Sequence, residues 1–308
     1  MNVATRAIEA ADRFQQRQPW LAFPVAVWRK FSADRAGNLA ALIAYYGFVS
    51  IFPLLLLFVT VLDMTLQDNP ALRQTLLNSA LAQYPVVGPL IGQQIKSHAG
   101  ALPSTGLPLA ASIIFLLLGA RGVAGAMVNA LCEVWGVPRA KRPGFPLSLL
   151  NEIALVLVVG IGLVATTTLS GLAGGAGHVL TGAGAAVGAV AVSLVLNIGV
   201  FWVAFHLAAV RQVPWRDLRA GAAIAAVVWQ VLQVVGTNVV THQLNHASSL
   251  YGTFGVVLGL VAWLYLQAEV TLYAAELDVV LVKRLWPRSV KSGTEERDQQ
   301  DEKAGTMT

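Results

Sequence analysis

Long runs of apolar residues, separated by short polar connections, recur along this chain. A run of about 18 or more mostly apolar residues is long enough to cross the hydrocarbon core of a bilayer as a helix. The pattern therefore predicts an all-α, polytopic membrane protein with six transmembrane helices. The predicted spans are residues 39–62, 107–130, 148–171, 185–210, 218–240 and 252–282.

The basic residues indicate how these spans are oriented. Of the 21 Lys and Arg residues, eighteen lie before the first span, between spans two and three, between spans four and five, or after span six. The alternate connections contain only Arg73 and Lys96, and Arg121 lies inside a span. Because cytoplasmic loops of membrane proteins collect Lys and Arg, both termini are predicted to be cytoplasmic.

Three segments flank or interrupt the predicted transmembrane domain, which covers residues 39–285. Residues 1–38 predict a cytoplasmic or interfacial segment, because PWLAFPVAVWRK at positions 19–30 mixes aromatic and basic residues as interfacial anchors do. Residues 63–106 predict an external loop with two amphipathic helices on the outer face. Residues 286–308 are polar and charged, which predicts a disordered cytoplasmic tail.

Composition supports lipid as the solvent of this chain and excludes several classes of function. Hydrophobic residues make up 56% of the sequence and charged residues 12%, whereas about a quarter of the residues in soluble domains are charged. The cytoplasmic loops explain the net charge of +5, so no nucleic-acid partner is expected. The single cysteine, Cys132, excludes an internal disulfide and a multi-cysteine metal site. The sequence shows no catalytic constellation, metal site or other cofactor site, so we do not expect an enzyme.

Four stretches carry a family resemblance. They are AALIAYYGFVSIFPLLLLF (Ala40–Phe58), VNALCEVWGVPRAKRPGF (Val128–Phe145), VPWRDLRAGAAIAAVVWQVLQ (Val213–Gln233) and SLYGTFGVVLGLVAWLYLQAEVTLYAAELDVVL (Ser249–Leu281). The first, second and fourth look like the YihY/BrkB family of bacterial inner-membrane proteins, and the third resembles that family's entrance to the fifth span. The resemblance implies a six-helix fold in the bacterial cytoplasmic membrane.

The same resemblance implies a function only broadly. Members of the family are described as transporters or are linked to virulence and envelope lipid export, and some carry an older label as ribonuclease BN. Metal-dependent RNA hydrolysis needs clustered His and carboxylate ligands in a polar site, and the five histidines are scattered along this chain. We therefore reject the ribonuclease interpretation.

Charged and polar side chains inside the spans are the candidates for function, because an intramembrane charge costs a few kcal/mol unless it is paired or hydrated. We expect Arg121 and Glu133 to point into the bundle interior, with Arg121 as the partner of Glu269. For the amides, simple interhelical hydrogen bonds are the alternative. The candidates for a substrate or proton path are Arg121, Asn129, Glu133, Gln230, Gln233, Glu269, Tyr273 and Glu276.

The sixth span places its polar residues on one stripe. With about 100° per residue, Glu269, Tyr273 and Glu276 fall within about 80° of Tyr265, and the side that carries Trp263 and Leu266 is expected to face lipid. The two carboxylates are separated by about 10.5 Å of helical rise, so they mark two levels of one path and cannot act on one bond. For Glu276, a structural ion pair with Lys283 or Arg284 is the alternative.

Pro53 interrupts the first span, because proline removes one backbone donor from a helix. It predicts either a static kink or a gating hinge. Taken together, the sequence favours a transporter or flippase for an envelope lipid or an amphiphilic, anionic metabolite, with membrane lipids as its surroundings. The alternative is a non-transporting membrane scaffold for envelope or secretion machinery. The oligomeric state is left open.

Overall fold

The computed structural model describes residues 19–65, 107–142, 144, 146–175, 183–209, 212–244 and 252–286. Most of the predicted external loop, the first 18 residues and the predicted tail from residue 287 lie outside this part of the chain. All regular elements in the described ranges are helical. They are α1 (Pro19–Ala33), α2 (Ala36–Thr65), α3 (Leu107–Val134), α4 (Leu147–Gly175), α5 (Ala183–Ala208), α6 (Arg219–Leu244) and α7 (Gly252–Lys283), with single 3-10 turns at Arg139–Lys141 and Trp215–Leu218.

Each of the six predicted spans coincides with one long helix, α2 to α7. Within the described residues, four helices contain stretches that are long and apolar enough to cross a membrane, and α2 contributes a shorter apolar segment, Ala36–Ile51. The prediction of an all-α membrane protein is therefore confirmed for this part of the chain. The α2 helix continues through position 53, and the role of Pro53 as a kink or gate stays a prediction. The four stretches that are long and apolar enough to cross a membrane are Leu117–Val134, Leu147–Thr166, Val190–Ala208 and Val257–Lys283.

Small residues bring α2 and α3 into close contact. A Cβ atom added at Gly119 would overlap the side chain of Ser50, and one added at Gly122 would overlap the ring of Tyr46. Small residues at these positions let two membrane helices approach closely, where dispersion contacts replace the missing hydrophobic driving force. The α2–α3 pair is therefore closely packed.

The last helix, α7, lies at the centre of the bundle and packs against α1, α2, α3 and α6. Leu272, Ala275 and Val279 are completely buried there. Trp263 is also buried, with 7% of its surface exposed, so the prediction that it faces lipid is wrong. Leu266 on the same side is exposed, as predicted.

The α4 helix packs mainly on α5, and α5 also packs against α6 and α3. Their outer surfaces carry exposed apolar side chains, among them Leu157, Ile161 and Val195. Apolar residues exposed along a membrane helix match the hydrocarbon environment of the lipid tails. This surface is therefore suited to contact with lipid.

One end of the bundle collects the basic residues, and we call it the basic end. At this end lie the last residues of α1, α3, α5 and α7 and the first residues of α6. Four basic residues therefore lie on the same side of the bundle: Lys30, Arg142, Arg219 and Lys283. A hydrogen bond joins the connection after α3 to the connection after α5 at this end. The side-chain amide of Gln212 donates it to the backbone carbonyl of Lys141 at 2.6 Å. The basic end is thus an ordered surface on which loop and helix ends are fixed.

Candidate functional site

The first polar feature is an ion pair on the surface of α3. Arg121 lies near the middle of this helix, and its Nε donates to Oε2 of Glu152 on α4 at 3.2 Å. The Arg121 side chain is 60% exposed and that of Glu152 is 15% exposed. Gly125, one turn along α3, leaves room for the Glu152 carboxylate, because a Cβ atom there would lie 3.7 Å from Oε1.

Further along the same helix, two predicted site residues bind a third side chain. Arg142, in the connection that follows α3, donates to Oδ1 of Asn129 at 2.8 Å and to Oε2 of Glu133 at 3.0 Å. Its Nε also donates to the carbonyl of Val137 at 3.2 Å, so the guanidinium is held along the helix surface. Asn129 and Glu133 are both exposed. We call the set of Arg121, Glu152, Asn129, Glu133 and Arg142 the α3 polar row.

The geometry of this row corrects two expectations. Arg121 and Glu133 do not point into the bundle interior but lie on its exposed side. The partner of Arg121 is Glu152 and not Glu269. In the sequence, Glu152 stands near the start of the third span, so a carboxylate in an apolar segment was visible, but the sequence does not state which helix lies beside α3.

One glutamine of the fifth span contacts a neighbouring helix. The side-chain amide of Asn197 on α5 donates to Oε1 of Gln230 on α6 at 3.4 Å, and Gln233 is half-buried on the same helix. A hydrogen bond between amides of neighbouring helices stabilises their contact by about 1 kcal/mol. Gln230 therefore forms an interhelical hydrogen bond, which was the alternative to a role in a substrate or proton path.

The predicted stripe on α7 faces α1 and α2. Tyr273 stacks on Phe31 of α1, with ring centroids 3.8 Å apart and planes 2° from parallel. The hydroxyl of Tyr265 lies 3.3 Å from the position of a Cβ atom at Gly37 of α2. Glu269 is half-buried between these two tyrosines. The stripe is therefore a contact surface for the N-terminal helices.

The end of this stripe forms a buried charge cluster. The ammonium group of Lys30 on α1 forms an ion pair with Asp34, donates to the carbonyl of Val134 at 3.0 Å and lies 3.3 Å from Oε2 of Glu276. Glu276 is completely buried, and the Lys30 side chain is 8% exposed. Three acceptors thus surround an ammonium group that has three donors. We call these residues the Lys30 cluster.

An ion pair for Glu276 was one of the two alternatives, but its partner was predicted to be Lys283 or Arg284. The structure pairs Glu276 with Lys30 instead, because α1 folds back onto the last helix. Lys30 and Asp34 were not among the predicted site residues. The signal that could have found them is the spacing of Ala22, Ala26 and Lys30, which marks a buried side of α1.

A second buried carboxylate fixes the start of α6. The Oδ1 atom of Asp278 accepts a hydrogen bond from the backbone N–H of Gly221 at 2.6 Å. Asp278 is 1% exposed. The first N–H groups of a helix have no partner within the helix, so a carboxylate here acts as a cap that comes from another helix. Asp278 was also not among the residues predicted from the sequence. Its hydrogen bond with Gly221 stabilises the position of α6 against α7.

Within the described ranges, no group of three or more His, Cys, Asp and Glu side chains is arranged to hold a metal ion. The buried charge clusters consist of carboxylates with an ammonium group or a backbone N–H. This arrangement can hold protons and pack helices. The α3 polar row, with an exposed guanidinium, can bind an anion.

Comparison with known proteins gives two similarities. Residues 27–299 match the family described as Virulence factor BrkB. The chain is also similar to the inner membrane protein YhjD of Escherichia coli strain K12, with 25% identity over 278 residues, which are 84% of this chain and 81% of that protein. No solved structure matches the chain. Together with the apolar helices, these similarities support a location in the bacterial inner membrane.

Proposed function

This chain belongs to the BrkB family of bacterial membrane proteins, and on that premise we propose that it is a transporter or flippase for an envelope lipid or another amphiphilic, anionic metabolite. The observation that carries the proposal is the exposed Arg121–Glu152 ion pair on two apolar helices. The proposal is one of movement without covalent chemistry. Such movement needs a polar route for the headgroup of the lipid, next to an apolar surface for its acyl chains.

An exposed arginine in the middle of a membrane helix supports substrate contact. A charged side chain at the bilayer centre costs at least about 2.5 kcal/mol, and this cost falls when water or a counter-ion is present. Glu152 engages Nε of Arg121, and within the described residues the two terminal nitrogens make no hydrogen bond. A phosphate or carboxylate group can bind these two nitrogens with charge-assisted hydrogen bonds.

The α3 polar row supplies a second binding position nearer the basic end. Asn129 lies eight residues after Arg121, which is about 12 Å along the helix axis, and it holds Arg142 in place. A headgroup can therefore pass from Arg121 to Arg142 while its acyl chains remain in lipid against exposed Leu117 and Leu118. In this route Glu152 replaces Glu269 as the counter-charge of Arg121.

We further propose that the chain crosses the membrane six times, with both termini in the cytoplasm, and that the predicted division of the chain into segments applies. The coincidence of the six predicted spans with α2 to α7 supports this topology. The gathering of Lys and Arg at the basic end supports its orientation, because positive residues are retained on the cytoplasmic side. The proposal also includes Glu269 as a second position along the substrate or proton path. It includes Pro53 as a hinge in α2.

The first prediction concerns Arg121. In liposomes that contain the purified protein and fluorescent anionic lipids, Arg121→Ala should lower the initial rate of lipid movement between leaflets at least about tenfold, which is the effect of losing about 1.4 kcal/mol of binding to the moving headgroup. The matched control is Arg139→Ala, which removes an exposed arginine from the 3-10 turn at the basic end. The control should move lipid at the wild-type rate.

A reduced rate in both arginine variants would show a general effect of charge and would contradict the specific role of Arg121. Equal rates in wild type and Arg121→Ala would contradict it as well. If the wild-type protein moves no lipid precursor and no ion, the transport proposal fails. The non-transporting scaffold would then be tested by the recovery of envelope proteins with the purified chain.

A further inference from the structure

The Lys30 cluster holds more negative than positive charge. One ammonium group, from Lys30, faces two carboxylates, from Asp34 and Glu276. Glu276 is completely buried, and neither of its carboxyl oxygens completes a hydrogen bond within the described residues. A buried charge without compensation is strongly unfavourable. The cluster therefore needs one more positive charge to be neutral.

Within the described residues, the cation that forms an ion pair with Glu276 is Lys30. Lys30 comes from α1 and Asp34 from the turn that follows it, and α3 adds the carbonyl oxygen of Val134, which is also partly negative. Where α7 faces α6, the carboxylate of Asp278 accepts a hydrogen bond from the backbone N–H of Gly221. The sequence of α2 has no charged residue before position 63, at the opposite end of that helix. At the end of α7, the Lys283 ammonium lies near Gly136.

The shape of the cluster restricts what can provide the missing charge. The Lys30 ammonium already occupies the position between the two carboxylates and the Val134 carbonyl. A metal ion would have to displace it. A proton on a carboxyl oxygen needs no additional space.

We propose that Glu276 is a proton-binding site, and that release of its proton to water at the basic end requires α1 to move away from α7. With the proton bound as an O–H bond, Lys30 and Asp34 neutralise each other and Glu276 is uncharged. When that bond breaks and the proton passes to water, the cluster carries one net negative charge, and the Glu276 carboxylate is completely buried while Asp34 is 22% exposed. Water can reach this charge only when the α1 helix that covers it separates.

The proton site goes beyond the proposed function and does not depend on it. Proton binding can be measured on a protein that moves no substrate. Lipid movement, in turn, can be measured without any measurement of proton binding. If both exist, opening of α1 at the basic end would couple the proton to the α3 polar row, because Val134 at the end of α3 contacts Lys30.

The test is infrared difference spectroscopy of the full-length protein in lipid nanodiscs, titrated from acidic to alkaline pH. Wild type should show the C=O absorption of protonated, buried carboxyl groups, and the band that belongs to Glu276 should disappear as the pH rises. Glu276→Gln should lose this band, and Glu269→Gln, a control on the same helix, should keep it. Persistence of the full band in Glu276→Gln, or its absence from wild type at every pH, would overturn the proposal.

A second variant covers the case in which Glu276→Gln does not fold. Asp34→Asn leaves one ammonium group and one carboxylate in the cluster, so Glu276 should lose its proton and the band should vanish from the neutral range. A band that is unchanged in Asp34→Asn would overturn the charge argument.

The movement of α1 is tested with spin labels at Trp28→Cys on α1 and Leu281→Cys on α7, both at exposed positions, with Cys132→Ser as background. Raising the pH should add a longer distance in wild type and leave Glu276→Gln at the short one. A distance that does not change with pH in wild type would refute the coupling to α1.

Discussion

Replacement of Lys30 by methionine is expected to destabilise the protein more than any other single loss of charge in the described part of the chain. Methionine preserves most of the length of the side chain but removes the ammonium group that joins Asp34, Glu276 and the Val134 carbonyl. Removal of one partner from a buried ion pair costs about 3–5 kcal/mol, and here it leaves the Asp34 carboxylate, which is 22% exposed, without its counter-charge, so a loss near the lower end of that range is expected. Unfolding in mixed micelles, followed by tryptophan fluorescence, measures this loss.

A control and a second substitution separate this effect from a general loss of charge. Lys141→Met makes the same change at an exposed position of the 3-10 turn, and the free energy of unfolding should stay within about 0.5 kcal/mol of wild type. Lys30→Met combined with Asp34→Asn should recover much of the stability, because the double change removes both charges of the ion pair and leaves neither one unpaired. Equal stability of the Lys30 single variant and wild type would show that the cluster does not hold α1 in place.

The bounds of the helices could be predicted from the sequence because hydropathy is a local property. Each of the six apolar runs became one helix, with ends that differ from the prediction by only a few residues. The contacts of the polar side chains are different, because they depend on which helices are neighbours. Arg121 had several carboxylates within reach in principle, and only the packing of α3 beside α4 selects Glu152 over Glu269.

The α7 helix shows the same limit in another form. Its wheel correctly grouped Tyr265, Glu269 and Tyr273 on one side. The wheel could not show that Trp263 on the opposite side would be buried while Leu266 on that side stays exposed, since burial depends on which helices pack there. The pairing of Glu276 with Lys30 joins residues from opposite ends of the chain, so no local pattern predicts it.

Gly221→Ala is expected to separate α6 from α7. A Cβ atom at this position would overlap the Asp278 carboxylate and the carbonyl of Ala274, so the helices must move apart. Overpacking costs about 1–3 kcal/mol, and the loss of the buried hydrogen bond from the Gly221 N–H to Asp278 adds about 1–3 kcal/mol. The higher helix propensity of alanine returns about 1 kcal/mol. The expected net loss is about 3 kcal/mol, measured as for Lys30→Met.

The matched control is Gly199→Ala, a change of the same type inside α5, where an added Cβ atom meets nothing within 4 Å. It should leave the stability unchanged or raise it by up to about 1 kcal/mol, because alanine favours the helix. Asp278→Ala in the Gly221→Ala background should cost less than the sum of the two single changes, since it removes one of the overlapping groups. Additive losses would mean that the two residues act independently, which would contradict the role of the Gly221–Asp278 contact in fixing α6 against α7.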